Sequence, residues 1–379
     1  MKVTILQTKL KEALNTVERI SSKSATLPSL RNVLLKAKDN FLELSTTDLE
    51  TGIRYWLLAK IEKEGQIAIP VQIFSSYINS LPPSQITLEK KNESLFIETE
   101  QTKTQIKEAS TEDFPIIPTV KEGDVATLPS LSVCQGLSQI VKICSLSSIK
   151  PEISGVYFSL EKDLLKMTAT DSFRLGEKKI FFKEPLSLAK EHSLILPQKA
   201  AFHLISIFGQ TDVLKVYLSS NLVMFESLME ETEHPKIQFV SKLIEGEYPK
   251  YEEIIPKTFK TEAQIQKNEF LHQLKTASIF AGRINEVKLT FDLKDQEIRI
   301  FCQNPDLGEH LSKLPAKIQG KESKVSFNYR FLLDGLESLQ TSEILFSLSE
   351  EKEGGEGPAV LRPIGDETYL YVVMPIQSS

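Results

Sequence analysis

The sequence predicts an α+β protein of three similar domains per chain, each made of two helix-plus-strands units. Three observations lead there. A chain of 379 residues is too long for one core, and at the usual domain size of roughly 100–150 residues it should hold two or three. The stretches STTDLETG (45–52) and TATDSFRLG (168–176) repeat one short pattern about a domain length apart, each just after a strand-like run. Each of these runs also follows a segment whose apolar residues recur at helical spacing.

Alignment on the two Thr-Asp motifs brings out a third copy. NVLLKAKDNFLELSTTD reads as two alternating strands around Lys38-Asp39-Asn40, ending at Thr47-Asp48. GVYFSLEKDLLKMTATD repeats this around Glu161-Lys162-Asp163 and ends at Thr170-Asp171. EVKLTFDLKDQEIRIFCQN does so around Lys294-Asp295-Gln296 and ends at Gln303-Asn304. The helix ahead of the first hairpin carries Leu10, Ala13, Leu14, Val17 and Ile20 on one stripe. The second carries Val133, Leu137, Ile140, Val141 and Cys144, and the third Phe270, Leu274, Ala277 and Ala281. Such stripes turn inward and leave Lys9, Lys11, Arg19, Lys142, Lys267 and Lys275 to the other faces.

A second unit follows each hairpin. GQIAIPVQIFSSYINSL, SLILPQKAAFHLISIF and SKVSFNYRFLLDGLESL each read as a short strand, a break and a helix, with further strands behind. Irregular composition marks linkers at 110–130 and 243–259, so the expected domains are 1–122, 123–250 and 251–379.

Composition is that of an ordinary soluble protein, 41% hydrophobic and 25% charged, with a net charge of −6. That balance argues against a strongly basic nucleic-acid binder but leaves room for a local basic face. The start MKVTILQTKLKEAL turns polar too soon for a signal peptide, and no apolar run approaches the ~18 residues of a membrane span. Cys134, Cys144 and Cys302 form no CxxC pair and read as small core residues of a reducing compartment. A cytoplasmic location is expected.

The rival reading is a hydrolase or nuclease with Asp48, Asp171 and Asp306 on a metal. The repeat spreads these acids over separate domains, whereas metal catalysis needs ligands converging on one site. The five histidines show no HExxH spacing, EGGEGP (353–358) lacks the Lys and helix of a phosphate loop, and no Ser or Cys sits in a nucleophile elbow. Neither an enzyme nor a cofactor is expected. The Thr-Asp pair is better read as a turn lock, its carboxylate accepting a backbone N–H just beyond the strand, a task the Asn of the third copy can also perform.

The segments LPSLRNVLL, STTDLE, ISGVYF, TATDSFRL, GEYPKYEEIIP and YVVMPI fall in an order and spacing that resembles the bacterial sliding-clamp family, the beta subunits of DNA polymerase III. The resemblance spans the whole chain. It implies a homodimer closed head to tail into a ring, helices inside and sheets outside, that encircles double-stranded DNA without reading its sequence. Six helix-bearing units each leave one helix face free, which suits a surface that attracts phosphates alone. The partners implied are the DNA polymerase catalytic subunit, an ATP-driven clamp loader and other proteins with clamp-binding peptides, with no membrane involved.

Candidate DNA-facing residues are Lys9, Arg19, Lys23, Lys142, Lys150, Lys199, Lys275 and Arg283. The resemblance further implies a peptide groove lined by Ile153, Thr170, Ser172, Phe173, Arg174, Leu175, Pro249, Ile254, Phe331, Val372, Val373, Met374 and Pro375. In it, apolar walls take an apolar anchor and Arg174 orients the peptide. It also implies a ring joint near Thr104 and Ile106 on one side and Ser278 and Ile279 on the other. This chain departs from the family pattern at Val71-Gln72-Ile73, Phe173, Glu252-Glu253 and the tail Gln377-Ser378-Ser379. The first, together with Lys23-Ser24 where the family often has an arginine, leaves DNA contact from domain one weaker or shifted onto Lys23, and Glu252-Glu253 make the groove rim more acidic. The half-motif Ser172-Phe173-Arg174-Leu175 has no counterpart in the other copies and marks the partner site.

Overall fold

A computed structural model describes residues 1–21, 27–120, 123–147, 149–350 and 356–376. Lys23 and Ser24, residues 353–355 of EGGEGP and the tail 377–379 lie outside the described residues.

One order of elements, strand, helix and three strands, occurs six times. The first third holds β1 (Lys2–Leu6), α1 (Gln7–Val17), β2 (Asn32–Lys38), β3 (Phe41–Thr47) and β4 (Thr51–Leu58) with the extension β5 (Lys60–Lys63). Its second copy is β6 (Gly65–Pro70), α2 (Val71–Ser80), β7 (Gln85–Lys91), β8 (Ser94–Glu98) and β9 (Lys103–Lys107). The middle third follows with β10 (Val125–Pro129), α3 (Ser130–Ile140), β11 (Gly155–Leu160), β12 (Leu164–Thr170) and β13 (Arg174–Phe181). Then come β14 (His192–Pro197), α4 (Gln198–Phe208), β15 (Val213–Leu218), β16 (Leu222–Leu228) and β17 (Pro235–Lys242). The last third holds β18 (Phe259–Gln266), α5 (Lys267–Ser278), β19 (Glu286–Asp292), β20 (Glu297–Asn304) and β21 (Gly308–Pro315), with the extension β22 (Lys317–Gly320). It ends in β23 (Ser323–Asn328), α6 (Tyr329–Ser338), β24 (Glu343–Ser349), β25 (Ala359–Pro363) and β26 (Tyr369–Val373).

The hairpin turns and helix stripes lie where the periodicity puts them. Leu10, Ala13, Leu14, Val17 and Ile20 are all buried, as are Val133, Leu137, Ile140, Val141 and Cys144. Ala281 is only half-buried, because α5 stops at Ser278. Each hairpin gains a third strand, and each first helix a leading strand, that the sequence pattern did not predict. One of these, β10, falls inside the expected 110–130 linker. Its alternating Ala126 and Leu128 are buried, and it pairs with β15.

Helix starts follow a shared device. The N–H of Gln7, Ser130, Gln198, Lys267 and Tyr329 donates to the carbonyl of Ser84, Asp212, Ser154, Ser342 and Asn285, each just ahead of a strand, at 2.8, 3.0, 3.3, 2.8 and 2.9 Å. This satisfies one of the N–H groups a helix start leaves without an intrahelical partner, and in α6 the Asn328 side chain satisfies another by accepting the Arg330 N–H.

The chain divides into two compact units. The first comprises Met1–Cys134, Leu186–Ala189 and Lys199–Leu243; the second comprises Gln135–Pro185, Lys190–Gln198 and Ile244–Ser379. The first unit contains a five-stranded sheet, β5-β1-β7-β8-β9, and an eight-stranded one, β10-β15-β16-β17-β4-β3-β2-β6. In the second are a nine-stranded sheet, β14-β11-β12-β13-β26-β25-β24-β18-β22, and a four-stranded one, β21-β20-β19-β23.

Within each third the two copies exchange first strands: β1 pairs with β7 and β6 with β2, and β10, β14, β18 and β23 repeat this with β15, β11, β24 and β19. Neither half of a third can therefore complete its sheet alone. The larger sheets arise where final strands of successive thirds meet antiparallel, β4 with β17 and β13 with β26.

The linkers are straps rather than loose connections. In the first unit Ile117 and Val120 bury against Met224 and Val240, and the Arg54 guanidinium donates to the Ile117 and Pro118 carbonyls. Gly52 makes room on the seam, since a Cβ there would meet Ile117 Cγ2 at 2.6 Å. In the second unit Tyr251 packs on Leu175, Val360 and Val372 and donates its hydroxyl to the buried Glu177 at 2.7 Å. Burying a large apolar side chain is worth about 1.5–3 kcal/mol, enough to hold an irregular segment in place.

Candidate functional site

The Thr-Asp motifs form identical turns. Asp48 Oδ1 accepts the backbone N–H of Glu50 at 3.1 Å and of Thr51 at 2.6 Å. Asp171 Oδ1 accepts those of Phe173 and Arg174, both at 3.0 Å. The third copy keeps the device with Asn304, whose Oδ1 accepts the Asp306 N–H at 2.9 Å. Leu49 and Ser172 sit at the tips with φ of 76° and 78°, and the N–H of each binds the Thr47 or Thr170 hydroxyl.

Each turn then uses its second carboxylate oxygen differently. Asp171 Oδ2 accepts from Arg174 Nε at 2.9 Å. The rest of that guanidinium reaches Asp334 of α6 and the Lys142 carbonyl and lies 4.6 Å over the Phe331 ring. Burial lowers the Arg174 pKa, but Tyr371 and the two carboxylates outweigh it and raise the net value, so the cation is permanent. Arg174 is expected to orient a peptide; its Nε, Nη1 and Nη2 bond to Asp171, Asp334 and the Lys142 carbonyl, so it also fixes the turn. Asp334 was not foreseen, because nothing local links it to a residue 160 positions earlier.

Phe173 projects from the tip, 62% exposed, and stacks on Phe331 at 6.3 Å. Beyond β26 the Met374 N–H donates to the Phe173 carbonyl at 2.8 Å and the Ile376 N–H to Ser326 at 2.8 Å. Met374 and Pro375 are half-buried beside the turn. The structure thus joins Thr170, Ser172, Phe173, Arg174, Leu175, Phe331 and Val372 through Pro375. Pro249 and Ile254 lie on the strap, exposed, and bond to Tyr251, which covers Leu175 and Val372. Ile153, Leu175, Val372 and Val373 have their side chains in the core rather than on an open wall, at 3%, 2%, 2% and 0% exposure. Phe173, Phe331, Ile254, Met374 and Pro375 carry the accessible apolar surface.

The expected DNA-facing cations sort into two groups. Arg19, Lys142, Lys150 and Arg283 are exposed without an acidic partner among the described residues. Lys199 ion-pairs with Asp48, Lys9 faces Glu231 at 3.8 Å and Lys275 faces Glu337 at 3.2 Å. Lys267 is turned away, donating to the Leu339 carbonyl at 2.8 Å. Partial burial pushes the Asp48 carboxyl up, but the bonds from Lys199 and Thr51 outweigh this and hold it below its ordinary value. The outer face of α2 carries Gln72, Ile73 and Ser76 and no cation.

At the joint residues, Thr104 and Ile106 lie on β9, an edge strand with only β8 beside it. Ile106 is turned into its own core at 6% exposure, so what it offers outward is backbone. Ser278 ends α5 and Ile279 follows it, 65% exposed. Sequence reasoning did not single out Leu311 on another edge strand, β21, or Leu307 just before it, 62% and 63% exposed.

The rival metal ligands Asp48 and Asp171 are both committed to their turns. Acids do gather at Asp292, Asp295 and Glu297, where each already pairs with Arg299 or Lys313. The three cysteines are buried, which pushes the Cys134 and Cys302 thiols up to about 11 and Cys144 to about 12. None is a nucleophile near neutral pH. Among the described residues no helix is long and apolar enough to cross a membrane.

Models of three domains match the chain in order. They are the DNA polymerase III beta subunit N-terminal domain at residues 1–118, central domain at 127–250 and C-terminal domain at 252–377. The beta sliding clamp of Synechococcus elongatus is 27% identical across 100% of this chain and 99% of its own. That of Bacillus subtilis is 26% identical with both chains fully covered. The crystal structure of the Bacillus subtilis DNA polymerase sliding clamp superposes with a TM-score of 0.91 at 26% identity, covering 100% of each chain. The DNA polymerase III beta subunit of Thermotoga maritima shares the fold at 0.90 and 23% identity, again over 100% of each chain. With its sixfold strand-helix-strands plan, its two interdomain seams and these matches from end to end, the chain belongs to the DNA polymerase III beta subunit family.

Proposed function

We propose that this chain is a DNA sliding clamp without catalytic activity, two copies of which close into a ring that encircles duplex DNA and tethers the replicative polymerase and repair factors. One observation carries the ring. Of the six strands that end a copy, four pair in the seams β4–β17 and β13–β26, and the two left over, β9 and β21, are free edges. They are the same kinds of strand that meet at the two existing seams. A third such seam cannot be satisfied by one strand alone, and a head-to-tail pairing of two copies would use both edges twice. Ile279, Leu307 and Leu311 would be covered there.

The domains then run over 1–122, 123–250 and 251–379. Arg19, Lys142, Lys150 and Arg283 are the cations best placed to meet phosphates, joined by Lys9, Lys199 and Lys275 when DNA competes with their carboxylates. Phe173, Phe331, Ile254, Met374 and Pro375 form the groove for an apolar partner peptide. Opening falls to a separate ATP-driven loader, and the clamp works in the cytoplasm on the nucleoid.

The test loads the protein on nicked circular DNA with a clamp loader and then linearises the circle. A clamp stays on the circle and runs off linear ends. Retention on linear DNA without end blocks would sink the ring.

A further inference from the structure

The second helices of the three thirds start alike, each directly after a strand and with its second residue exposed. That residue is Gln72 in α2, Lys199 in α4 and Arg330 in α6. The last third therefore carries a cation where the first carries none. Lys199 is tied to Asp48, whereas Arg330 has no acidic partner among the described residues.

Arg330 is steadied by its neighbours. Its Nε donates to Tyr329 Oη at 3.4 Å, and the guanidinium is centred 6.0 Å from that ring. Its backbone N–H is taken by Asn328 Oδ1 at 3.0 Å, which fixes the first turn of α6. Among the described residues neither terminal nitrogen has a partner. The edge they form suits two oxygens of one phosphate.

The fold brings a second arginine to the same place. The Asn285 N–H donates to the Gly282 carbonyl at 3.0 Å, closing a turn that carries Arg283 exposed. The Asn285 carbonyl in turn accepts the Tyr329 N–H at 2.9 Å, so this turn is bonded directly to the first residue of α6. The neighbouring acid Glu286 is engaged elsewhere, accepting the Ser326 hydroxyl at 2.7 Å and facing Lys288 at 3.9 Å. Glu337, two turns along α6 on the face of Arg330, meets Lys275 of α5 at 3.2 Å. Arg330 and Lys275 thus share one exposed side of the packed α5–α6 pair.

We propose that Arg330, with Arg283 beside it, forms a phosphate site at the start of α6 that grips the backbone of the encircled duplex. The proposal rests on the clamp reading above. It gives domain three the helix-start cation that α2 lacks, and it reads no bases, since contacts to phosphate oxygens carry no direct sequence information.

The test uses the full chain and a fluorescein-labelled duplex oligonucleotide, titrated by anisotropy between ~50 and ~200 mM salt. Arg330→Ala should bind about fivefold more weakly at the low end, and its slope of log affinity against log salt should fall by about 0.9, one phosphate contact. Arg330→Lys keeps the charge without the planar fork, so it should keep the slope and recover only part of the affinity. Lys317→Ala removes an exposed cation from strand β22 and should match the parent. Parent-like affinity and slope in Arg330→Ala overturn the site alone. An equal loss in Lys317→Ala does the same, because it assigns the effect to net charge. A parent that binds no duplex overturns the clamp reading, and the site with it.

Discussion

Asp171 holds Arg174 at two points, Oδ1 accepting its backbone N–H at 3.0 Å and Oδ2 accepting Nε at 2.9 Å. One carboxylate thereby fixes a turn and aims a guanidinium that also reaches Asp334 and Phe331. The first copy of the turn has Thr51 in place of Arg174 and lends its second oxygen to Lys199. One local motif thus aims a guanidinium at α6 in one domain and holds an ion pair in another.

Asp171→Ala removes the acceptor for two backbone N–H groups and one Arg. We expect a loss of about 2 kcal/mol in urea denaturation, in line with hydrogen bonds to a charged group. Asp171→Asn keeps an Oδ1 acceptor, as Asn304 does for the Asp306 N–H in the third copy, and should recover most of that loss. Equal losses in both variants would contradict the turn-lock assignment.

Asp48 gives a pH signature. Its folded pKa lies below the ordinary value of 3.8, so its stabilisation is fully present above about pH 4 and is lost as pH falls through the folded value. The stability gap between the parent and Asp48→Asn should be constant at neutral pH and close below about pH 4. A gap that stays level down to about pH 3 would show that the charge is immaterial.

Met374 tests the groove. Its N–H is fixed to the Phe173 carbonyl, so truncating the side chain leaves the backbone path in place. Met374→Ala should weaken binding of a polymerase peptide by more than ~1 kcal/mol in calorimetric titration, the usual threshold for an anchor contact. Unchanged affinity would remove this residue from the groove.

Leu311 tests the ring joint. It is 62% exposed on the free edge β21, and Leu311→Glu places a charge where a partner edge must pack. Sedimentation should show monomers at concentrations where the parent is dimeric, with an unaltered circular dichroism spectrum. A variant that still dimerises would move the joint elsewhere.

The sequence by itself determined what depends on near neighbours. Helix stripes such as Leu10 to Ile20 follow from a period of 3.6, the hairpins around Asp39 and Asp163 from alternation and turn chemistry, and the Asp48, Asp171 and Asn304 locks from side-chain acceptors whose backbone N–H donors lie two or three residues on. The repeat itself was legible for the same reason, since each copy solves the same local problem. Thr170 to Leu175 lie on one turn and can be grouped from the chain alone; that they line a groove is what the family resemblance implies. Only the tertiary structure decided the exchange of first strands, the straps over the seams, the burial of Ile153 and Val373, and the partners of Lys199 and Arg174, which lie 151 and 160 residues away. Those outcomes depend on which faces meet once whole sheets have paired, and no short-range pattern of charge or hydrophobicity specifies that meeting.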